Sequence, residues 1–501
     1  MLIKIKEGFK NIISKYKSII LFILIVIILA FAFSVYRARN TRLLDKDVYK
    51  ELRASLEEKG EEGNQDFASQ EELADFIRSW ADQSGVVYTE DKAGNIIFDK
   101  EAVKRKKKVS PTLVCVSMNY ETASDNAYLL AAAASLASSD IDSGRQTVVF
   151  VNDEQNLGNG YKKLSKDYFG NNTKVIYLDG GSKPYLSTSS FEKRFSTVYI
   201  PAKHEDNICD SAVKIKISGI KSGVVGPNIG KQPDPVSALS SLLTRLKSKS
   251  VTYRLADFEL GSNGNMYPTS VEATIVLNSY AVSSFTGYID KRIKAWNKAY
   301  DDEDGEDIEY TYEVVDDAYA LPEKTYTEDT TDKLTDVLYT IKDGTYKYAE
   351  SDVIPENREV DDVYGINCMT DLKEEDGYIK LRLLTEGYNK SYTDRIYFDN
   401  KAAAELYDCK FKENSRIEAF TNDKDSLSRN FVNTYDRVNE SDAVDSTLEY
   451  DSDNYFTPCS YLSEKNSKAD VVHVKMTKKT AAKTANTILC YIKSKGNTSF
   501  F

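Results

Sequence analysis

Residues 112–137 read TLVCVSMNYETASDNAYLLAAAASLA, and this stretch decides the fold class. Its first five residues form an apolar run typical of a buried strand, and the small side chains of Ala127–Ala137 predict a helix that packs closely on a sheet. Two further apolar runs follow at Thr147–Val151 and Val175–Leu178. Strands that alternate with helices indicate a parallel sheet. We therefore predict an α/β protein with a mixed, mainly parallel sheet flanked by helices.

Acidic residues lie where these elements begin or end. Asp125 comes just before the small-residue helix, Glu154 follows the second strand, and Asp179 follows the third. Sheets of this kind place their sites at the carboxyl ends of the strands. We expect the three carboxylates to lie at one edge of the sheet.

The composition narrows the classes of function. The chain has 501 residues, 41 % of them hydrophobic, which predicts several folded domains. Its net charge of −12 argues against a nucleic-acid-binding protein. It has only two histidines, His204 and His473. The residues around them indicate an exposed segment for His204 and a structural strand position for His473, so neither is expected to be a metal ligand.

The N-terminal region contains a long apolar segment. Residues 19–36 carry no charge and are long enough to cross a bilayer. Lysines precede the segment and arginines follow it, which favours a cytoplasmic N-terminus. We predict a single-pass membrane anchor with the bulk of the chain outside the cytoplasm. A signal peptide cleaved near Ala30–Ala32 is the alternative.

Four motifs, taken in order, carry a resemblance to a known family. They are Lys92–Ile97 (KAGNII), Ile217–Gly223 (ISGIKSG), Tyr253–Leu255 (YRL) and Thr330–Tyr339 (TTDKLTDVLY). Together with the strand and helix order above, they resemble the di-zinc metallopeptidase superfamily, and most closely the aminoacyl-histidine (Xaa-His, carnosine-dipeptidase-like) dipeptidases. The resemblance covers about residues 70–495.

The resemblance implies a peptidase-like domain interrupted by an inserted α+β lid domain. The expected divisions are a cytoplasmic N-terminus (1–18), a transmembrane anchor (19–36), a stalk (37–69), the first part of the peptidase-like domain (70–190), the lid (191–390) and the second part of the peptidase-like domain (391–501).

The resemblance also implies a set of site residues. The family holds two zinc ions through histidines and carboxylates, and a glutamate deprotonates the attacking water. The retained positions are the bridging ligand Asp125, the general base Glu154 and the ligand Asp179. Other positions have lost the family's residue: Ser117 and Asn119 replace a histidine and its orienting aspartate, Gln155 replaces a ligand, Val224 replaces a lid histidine, and residues 458–461 lack the last histidine.

These losses lead to the expected function. Zinc sites usually need at least three strong protein ligands. We therefore expect no cofactor, with a weakly held divalent cation as the alternative. The expected protein is an inactive peptidase homologue that binds or scaffolds at the cell envelope. An active metal-dependent peptidase with Glu154 as general base is the alternative, and a purely structural envelope component that self-associates through its lid is a third. The expected partners are the membrane through residues 19–36 and a peptide or protein ligand under the lid, with a homodimer left open and no nucleic acid.

Overall fold

The structure is a computed structural model of the 501-residue chain. It describes the following residues: 25–28, 42–61, 67–153, 158–220, 233–261, 267–300, 308–354, 358–422, 424–439, 448–451 and 455–494.

The helices, in chain order, are α1 (Lys46–Glu61), α2 (Gln70–Gln83), α3 (Ala127–Ala137), α4 (Asn159–Lys163), α5 (Pro235–Ser248), α6 (Ser279–Tyr300), α7 (Glu328–Thr340), α8 (Lys390–Leu406), α9 (Asp425–Asn439), α10 (Cys459–Lys465) and α11 (Ala481–Ser494). The strands are β1 (Thr89–Glu90), β2 (Ile96–Lys100), β3 (Thr112–Met118), β4 (Gln146–Asn152), β5 (Lys174–Gly180), β6 (Tyr185–Ser187), β7 (Ser189–Ser190), β8 (Glu192–Pro201), β9 (His204–Asp206), β10 (Ser211–Ser218), β11 (Arg254–Gly261), β12 (Ser270–Leu277), β13 (Glu309–Val315), β14 (Lys324–Tyr326), β15 (Gly344–Lys347), β16 (Val363–Glu375), β17 (Tyr378–Gly387), β18 (Lys410–Ile417), β19 (Phe420–Thr421), β20 (Glu449–Asp451) and β21 (Asp470–Met476).

The larger sheet has the strand order β1-β2-β4-β3-β5-β21-β6-β20. Its centre is parallel, because β3 pairs in parallel with both β4 and β5, and β21 pairs in parallel with β5. The strand β21 comes from the C-terminal part of the chain and lies between β5 and β6. The mixed α/β sheet predicted from the sequence is confirmed.

Both faces of this sheet are covered, so its central strands are apolar on both sides. Val114 and Val116 of β3 pack into a core with α1, α2, α3, α9 and α11. Leu113 and Cys115 of the same strand pack into a second core with α4 and α10. Alternate residues of a strand point to opposite faces, so each apolar run fills two cores.

Helix α1 corrects the prediction of a stalk at residues 37–69. Tyr49, Leu52 and Leu56 of α1 are buried and pack in the same core as α3. These three residues recur at helical spacing and form an apolar stripe, which a free stalk would leave in water. Residues 46–61 therefore belong to the folded domain.

A second unit contains two antiparallel sheets around one core. The first sheet has the order β15-β16-β17-β8-β18, and the second has the order β11-β12-β10-β13. Apolar residues of both sheets meet side chains of α5, α6 and α7 in this core. Because β18 pairs with β8, the chain stays with this second unit as far as Ile417, beyond residue 390, where the predicted lid ends.

The predicted anchor at residues 19–36 lies outside the described residues except for 25–28, which are helical. Among the described helices, none is long and apolar enough to cross a bilayer. The longest, α6, has 22 residues but contains Asp290, Lys291 and Arg292, which are costly to bury in lipid. The predicted localisation as a single-pass membrane protein is contradicted by this finding.

Candidate functional site

The retained carboxylate Asp179 lies at the end of β5, next to His473 and Lys475 of β21. Because β5 and β21 run in parallel, Asp179 lies directly opposite Lys475, and Tyr177 lies opposite His473. His473 Nε2 is 3.3 Å from Asp179 Oδ2. Lys475 donates a hydrogen bond to the hydroxyl of Tyr455, and that hydroxyl is 3.5 Å from Asp179 Oδ2. The strand β21 thus supplies positive charge beside Asp179.

This environment decides the charge of Asp179. Burial alone would raise the pKa of its carboxyl group, but the adjacent His473 and the charge of Lys475 outweigh burial and hold the pKa below its ordinary value. Asp179 Oδ1 also accepts a hydrogen bond from the backbone N–H of Gly180 at 2.8 Å. Asp179 is therefore ionised at neutral pH and is already bound to groups of its own chain.

The prediction that neither histidine is a metal ligand did not consider that His473 lies beside the retained carboxylate Asp179. The side chain of His473 is fully buried, and its ring lies against those of Tyr177 and Tyr185, with centroid distances of 5.1 and 6.2 Å. Sequence alternation correctly indicates a buried strand. It does not indicate that this strand lies beside β5. His204, by contrast, lies in the lid, 3.4 Å from Glu374.

Tyrosines surround Ser117, which occupies a position where the family has a metal-binding histidine. Ser117 Oγ and the hydroxyl of Tyr161 are 2.7 Å apart. Tyr161 is fully buried, and its ring packs edge-on against that of Tyr177 at 6.0 Å. The serine is thus hydrogen-bonded inside an aromatic cluster.

Asn119, at the orienting position of the family motif, caps a short helical turn. Its Oδ1 accepts a hydrogen bond from the backbone N–H of Glu121 at 2.9 Å. This is a common local use of asparagine at the start of a helical turn. Asn119 is 6 % exposed and contributes to the loop that leads to Asp125.

Asp125 and Asp179 both act on Tyr128 of α3. The pKa of Tyr128 is raised to about 12, mainly by burial and then by the negative charges of Asp179 and Asp125. A Cβ atom at Gly180 would lie 2.3 Å from the Tyr128 hydroxyl, so the helix start lies directly against the end of β5. Asp125 is exposed, and the side chain of Asp179 is partly buried, with 29 % of its surface exposed. The structure brings the two retained carboxylates to one edge of the sheet.

Several predicted positions lie outside the described residues: Glu154, Gln155 and Val224. The preceding residue, Asp153, is 6 % exposed and accepts a hydrogen bond from the backbone N–H of Gly158 at 2.8 Å. Burial raises the pKa of Asp153. Asp153 therefore joins the end of β4 to the residue that precedes α4.

Residues 458–461, where the family has its last histidine, begin helix α10. Tyr461 is 3 % exposed and lies against Gly158, where an added Cβ would be 2.0 Å from its ring. Gly158 has a φ of +67°, a conformation that favours glycine. An aromatic ring therefore packs against the residue that precedes α4.

The chain is similar to known proteins in its structure and not in its sequence. No protein-family model and no curated protein sequence matches the chain. A solved aminoacylhistidine dipeptidase from Vibrio alginolyticus is similar in structure, with a TM-score of 0.56 and 14 % identity over 86 % of this chain and 93 % of that one. The chain has the fold of this dipeptidase. The resemblance inferred from the sequence is confirmed at the level of the fold.

Two other solved structures are less similar. An aminopeptidase PepT from Bacillus cereus has a TM-score of 0.42 and 10 % identity, over 90 % of this chain and 99 % of that one. The YXEP protein of Bacillus subtilis, described as a dinuclear metal binding peptidase from the M20 family, has a TM-score of 0.39 and 9 % identity, over 90 % of this chain and 98 % of that one.

The prediction that the chain has no cofactor is corrected by the position of His473 beside the retained carboxylate Asp179. That prediction rested only on the loss of histidines from the family's ligand positions, whereas His473 reaches Asp179 from another strand. Within the part of the chain that the structure describes, however, no group of three or more His, Cys, Asp or Glu residues is placed to hold a metal. Asp179 and His473 are two such residues, and a catalytic zinc site uses three. The described residues alone do not fit a zinc ion.

Sequence reasoning missed the group that surrounds Asp179 in this dipeptidase fold. Lys475 and Tyr455 belong to it, and Tyr185 lies 3.4 Å from Lys475 Nζ. The detectable signal was the polar pair His473 and Lys475 among the apolar residues Val471, Val472, Val474 and Met476, because residues two apart in a strand share a face.

Proposed function

We propose that this chain binds a peptide at the carboxyl edge of its larger sheet and does not hydrolyse it. The observation that carries the proposal is the contact of Asp179 with His473, with the charge of Lys475 nearby. An ionised carboxylate whose charge is already compensated by side chains of its own chain binds a metal ion or a reacting group less strongly. Ser117, bonded to Tyr161, supports the same proposal.

The same edge carries groups that suit a peptide. Asp125 is exposed and offers a negative charge to an amino terminus. Lys475, held between Tyr455 and Tyr185, offers a positive charge to a carboxylate. Charged termini of peptides are recognised by such paired groups and by backbone N–H donors.

The first experiment measures binding and turnover together. Titration calorimetry with an Xaa-His dipeptide, with and without added zinc, is run beside an assay for released histidine. We expect saturable binding without turnover under both conditions, and weaker binding in Asp125→Asn. Asp140→Asn, a change of the same kind at an exposed site, is the matched control. Failure of the dipeptide and of longer peptides to bind would contradict the proposal.

An active metal-dependent peptidase is the second candidate, and one observation favours it. His473 beside Asp179 is the kind of nitrogen and carboxylate pair that catalytic metal sites use. In that case the zinc-supplemented wild type releases histidine, and Glu154→Gln abolishes the release. This pair of results would show that the chain is an active peptidase and would contradict the proposal of binding without hydrolysis.

A further inference from the structure

The lid carries a positively charged surface on one face of its five-stranded sheet. Strand register aligns Lys410 with Tyr199, Tyr199 with Lys380, and Lys380 with Lys373 in one row. The next row on the same face runs from Lys412 through Thr197 to Arg382. We call this surface the basic sheet face, and its five cations are Lys373, Lys380, Arg382, Lys410 and Lys412.

The basic sheet face points to solvent, whereas the other face of the same strands packs into the lid core. Lys410 and Lys412 are exposed, and the side chains of Lys373 and Arg382 keep 61 % and 52 % of their exposure. Neighbouring residues such as Val198 and Leu381 point the other way and are fully buried. The alternation of a strand thus separates the cations from the core.

The charges on this surface are only partly balanced. Asp371 lies 3.6 Å from both Lys373 and Arg382, and Lys380 pairs with Glu375 and Asp376 at 3.0 and 2.8 Å. In the described part of the chain, no carboxylate lies within ion-pair distance of Lys410 or Lys412. Uncompensated positive charge is notable in a chain whose net charge is −12.

An open groove with aromatic walls lies at the same place. It has a volume of about 520 Å³ and is lined by Tyr199, Tyr378 and Phe411 together with Lys380, Lys410, Lys412 and Asp376, the last of which is paired with Lys380. The rings of Tyr199 and Tyr378 meet edge to face at 5.9 Å, and Lys410 Nζ donates to the Tyr378 hydroxyl at 3.0 Å. The groove therefore offers apolar contact between positive charges.

The groove lies along a strand at the edge of its sheet. Strand β18 is the last strand in the order, paired on one side with β8. An extended peptide can add to such an edge through backbone hydrogen bonds, with specificity from alternate side chains. Lys410 and Lys412 are two residues apart on β18, so their spacing matches the alternate side chains of an added strand.

We infer that the basic sheet face and the edge of β18 bind an acidic, extended segment of a partner protein. Acidic residues at alternate positions of that segment pair with Lys410 and Lys412, and the apolar residues between them lie on the same face as Phe411. This site is separate from the edge that carries Asp179 and does not depend on the function proposed above.

The test uses the full chain and a fluorescein-labelled synthetic peptide in which glutamate alternates with valine, followed by anisotropy. We expect saturable binding that weakens as salt rises from about 0.05 to 0.3 M, because the pairs are exposed. The double variant Lys410→Ala/Lys412→Ala should bind about tenfold more weakly, since it removes two exposed charge pairs. The same peptide with glutamine for glutamate should bind no better than that variant does.

The chain offers a matched control. Lys214 and Lys216 are exposed, two residues apart on β10, in the other sheet of the lid. Lys214→Ala/Lys216→Ala should bind the acidic peptide like the wild type. Equal loss in both double variants, or no loss at Lys410 and Lys412, would overturn the inference.

Two further measurements distinguish other occupants. Tighter binding of a single-stranded oligonucleotide than of the acidic peptide would overturn the inference in favour of nucleic acid. Self-association in sedimentation that disappears in Lys410→Ala/Lys412→Ala would assign the face to a second copy and also overturn it. If the double variant misfolds by circular dichroism, Lys410→Gln and Lys412→Gln are tested singly, each with an expected loss of about threefold.

Discussion

At the scale of single residues, the most informative feature is the charge balance around Asp179. The carboxylate was predictable from its place after a buried strand, but its partners were not. His473 and Lys475 lie nearly 300 positions further along the chain and reach Asp179 only because β21 pairs with β5. No local pattern encodes which strand a C-terminal strand will join. The acidic residues of the candidate site were therefore predictable from the sequence, whereas the positions of His473 and Lys475 beside them were not.

The first prediction concerns the stability of this contact. Asp179→Asn should lower the free energy of unfolding by about 2 kcal/mol at pH 7, because the buried His473 loses a charged partner 3.3 Å away. The folded-state pKa of Asp179 lies below the unfolded value of about 3.9. Its contribution is thus present above that value and is lost as pH falls through the folded pKa. Urea unfolding at a series of pH values measures both effects.

The control for this variant is Asp140→Asn, at an exposed carboxylate 3.4 Å from Lys100. It should change the free energy of unfolding by less than about 0.5 kcal/mol. A loss for Asp179→Asn that stays constant down to pH 2 would show that the charge of Asp179 is not what stabilises the fold.

The second prediction tests the packing of Tyr461 on Gly158. Gly158→Ala should cost about 2–4 kcal/mol, because the new Cβ would lie 2.0 Å from the Tyr461 ring and the backbone has a φ of +67°. Gly85→Ala is matched in backbone, with a φ of +65°, but has nothing within 4 Å. It should cost only about 1 kcal/mol. Equal losses in thermal or urea unfolding would mean that Tyr461 moves aside freely.

At the scale of elements, helix α3 was predictable to the residue, and α1 was not recognised as part of the domain. The segment Ala127–Ala137 is apolar and small on every side, so it can form only a buried helix. In α1 the apolar stripe is narrow and the rest of the helix is charged. A pattern of that kind fits both a packed surface helix and a solvated stalk, and only the neighbouring α3 decides between them.

The third prediction measures how much α1 contributes. Leu56→Ala should lower the free energy of unfolding by about 2–5 kcal/mol, because Leu56 is fully buried against the core of the larger sheet. Leu406→Ala, at a leucine that is 69 % exposed, should change it by less than about 0.5 kcal/mol. If both variants have similarly small effects on the free energy of unfolding, α1 is a stalk and not part of the folded domain.

At the scale of the whole molecule, distant parts of the chain are joined by hydrogen bonds as well as by packing. The side chain of Asn486 in α11 accepts bonds from the backbone N–H groups of Leu43 and Leu44 at 2.8 and 3.1 Å. These contacts tie the segment that precedes α1 to helix α11. They also place α1 against α3, near the edge that carries Asp179.

The fourth prediction tests this tie. Asn486→Ala should lower the free energy of unfolding by about 1–2 kcal/mol, because two backbone donors lose their acceptor. Hydrogen exchange should become faster at Leu43 and Leu44. Lys479→Ala, at an exposed position, is the control and should leave both amides unchanged. Unchanged exchange in Asn486→Ala would mean that packing alone holds the segment.

The sequence by itself determined the α/β class, the central strands, the helix between them and the acids at their ends, because each depends on the local spacing of apolar and polar residues. The tertiary structure alone decided that α1 is packed, that β21 lies beside β5, and that Asp179 faces His473 and Lys475. It also decided that lysines of separate strands share one face of the lid sheet. Strand order and register depend on contacts between residues far apart in the chain, and local periodicity carries no information about them.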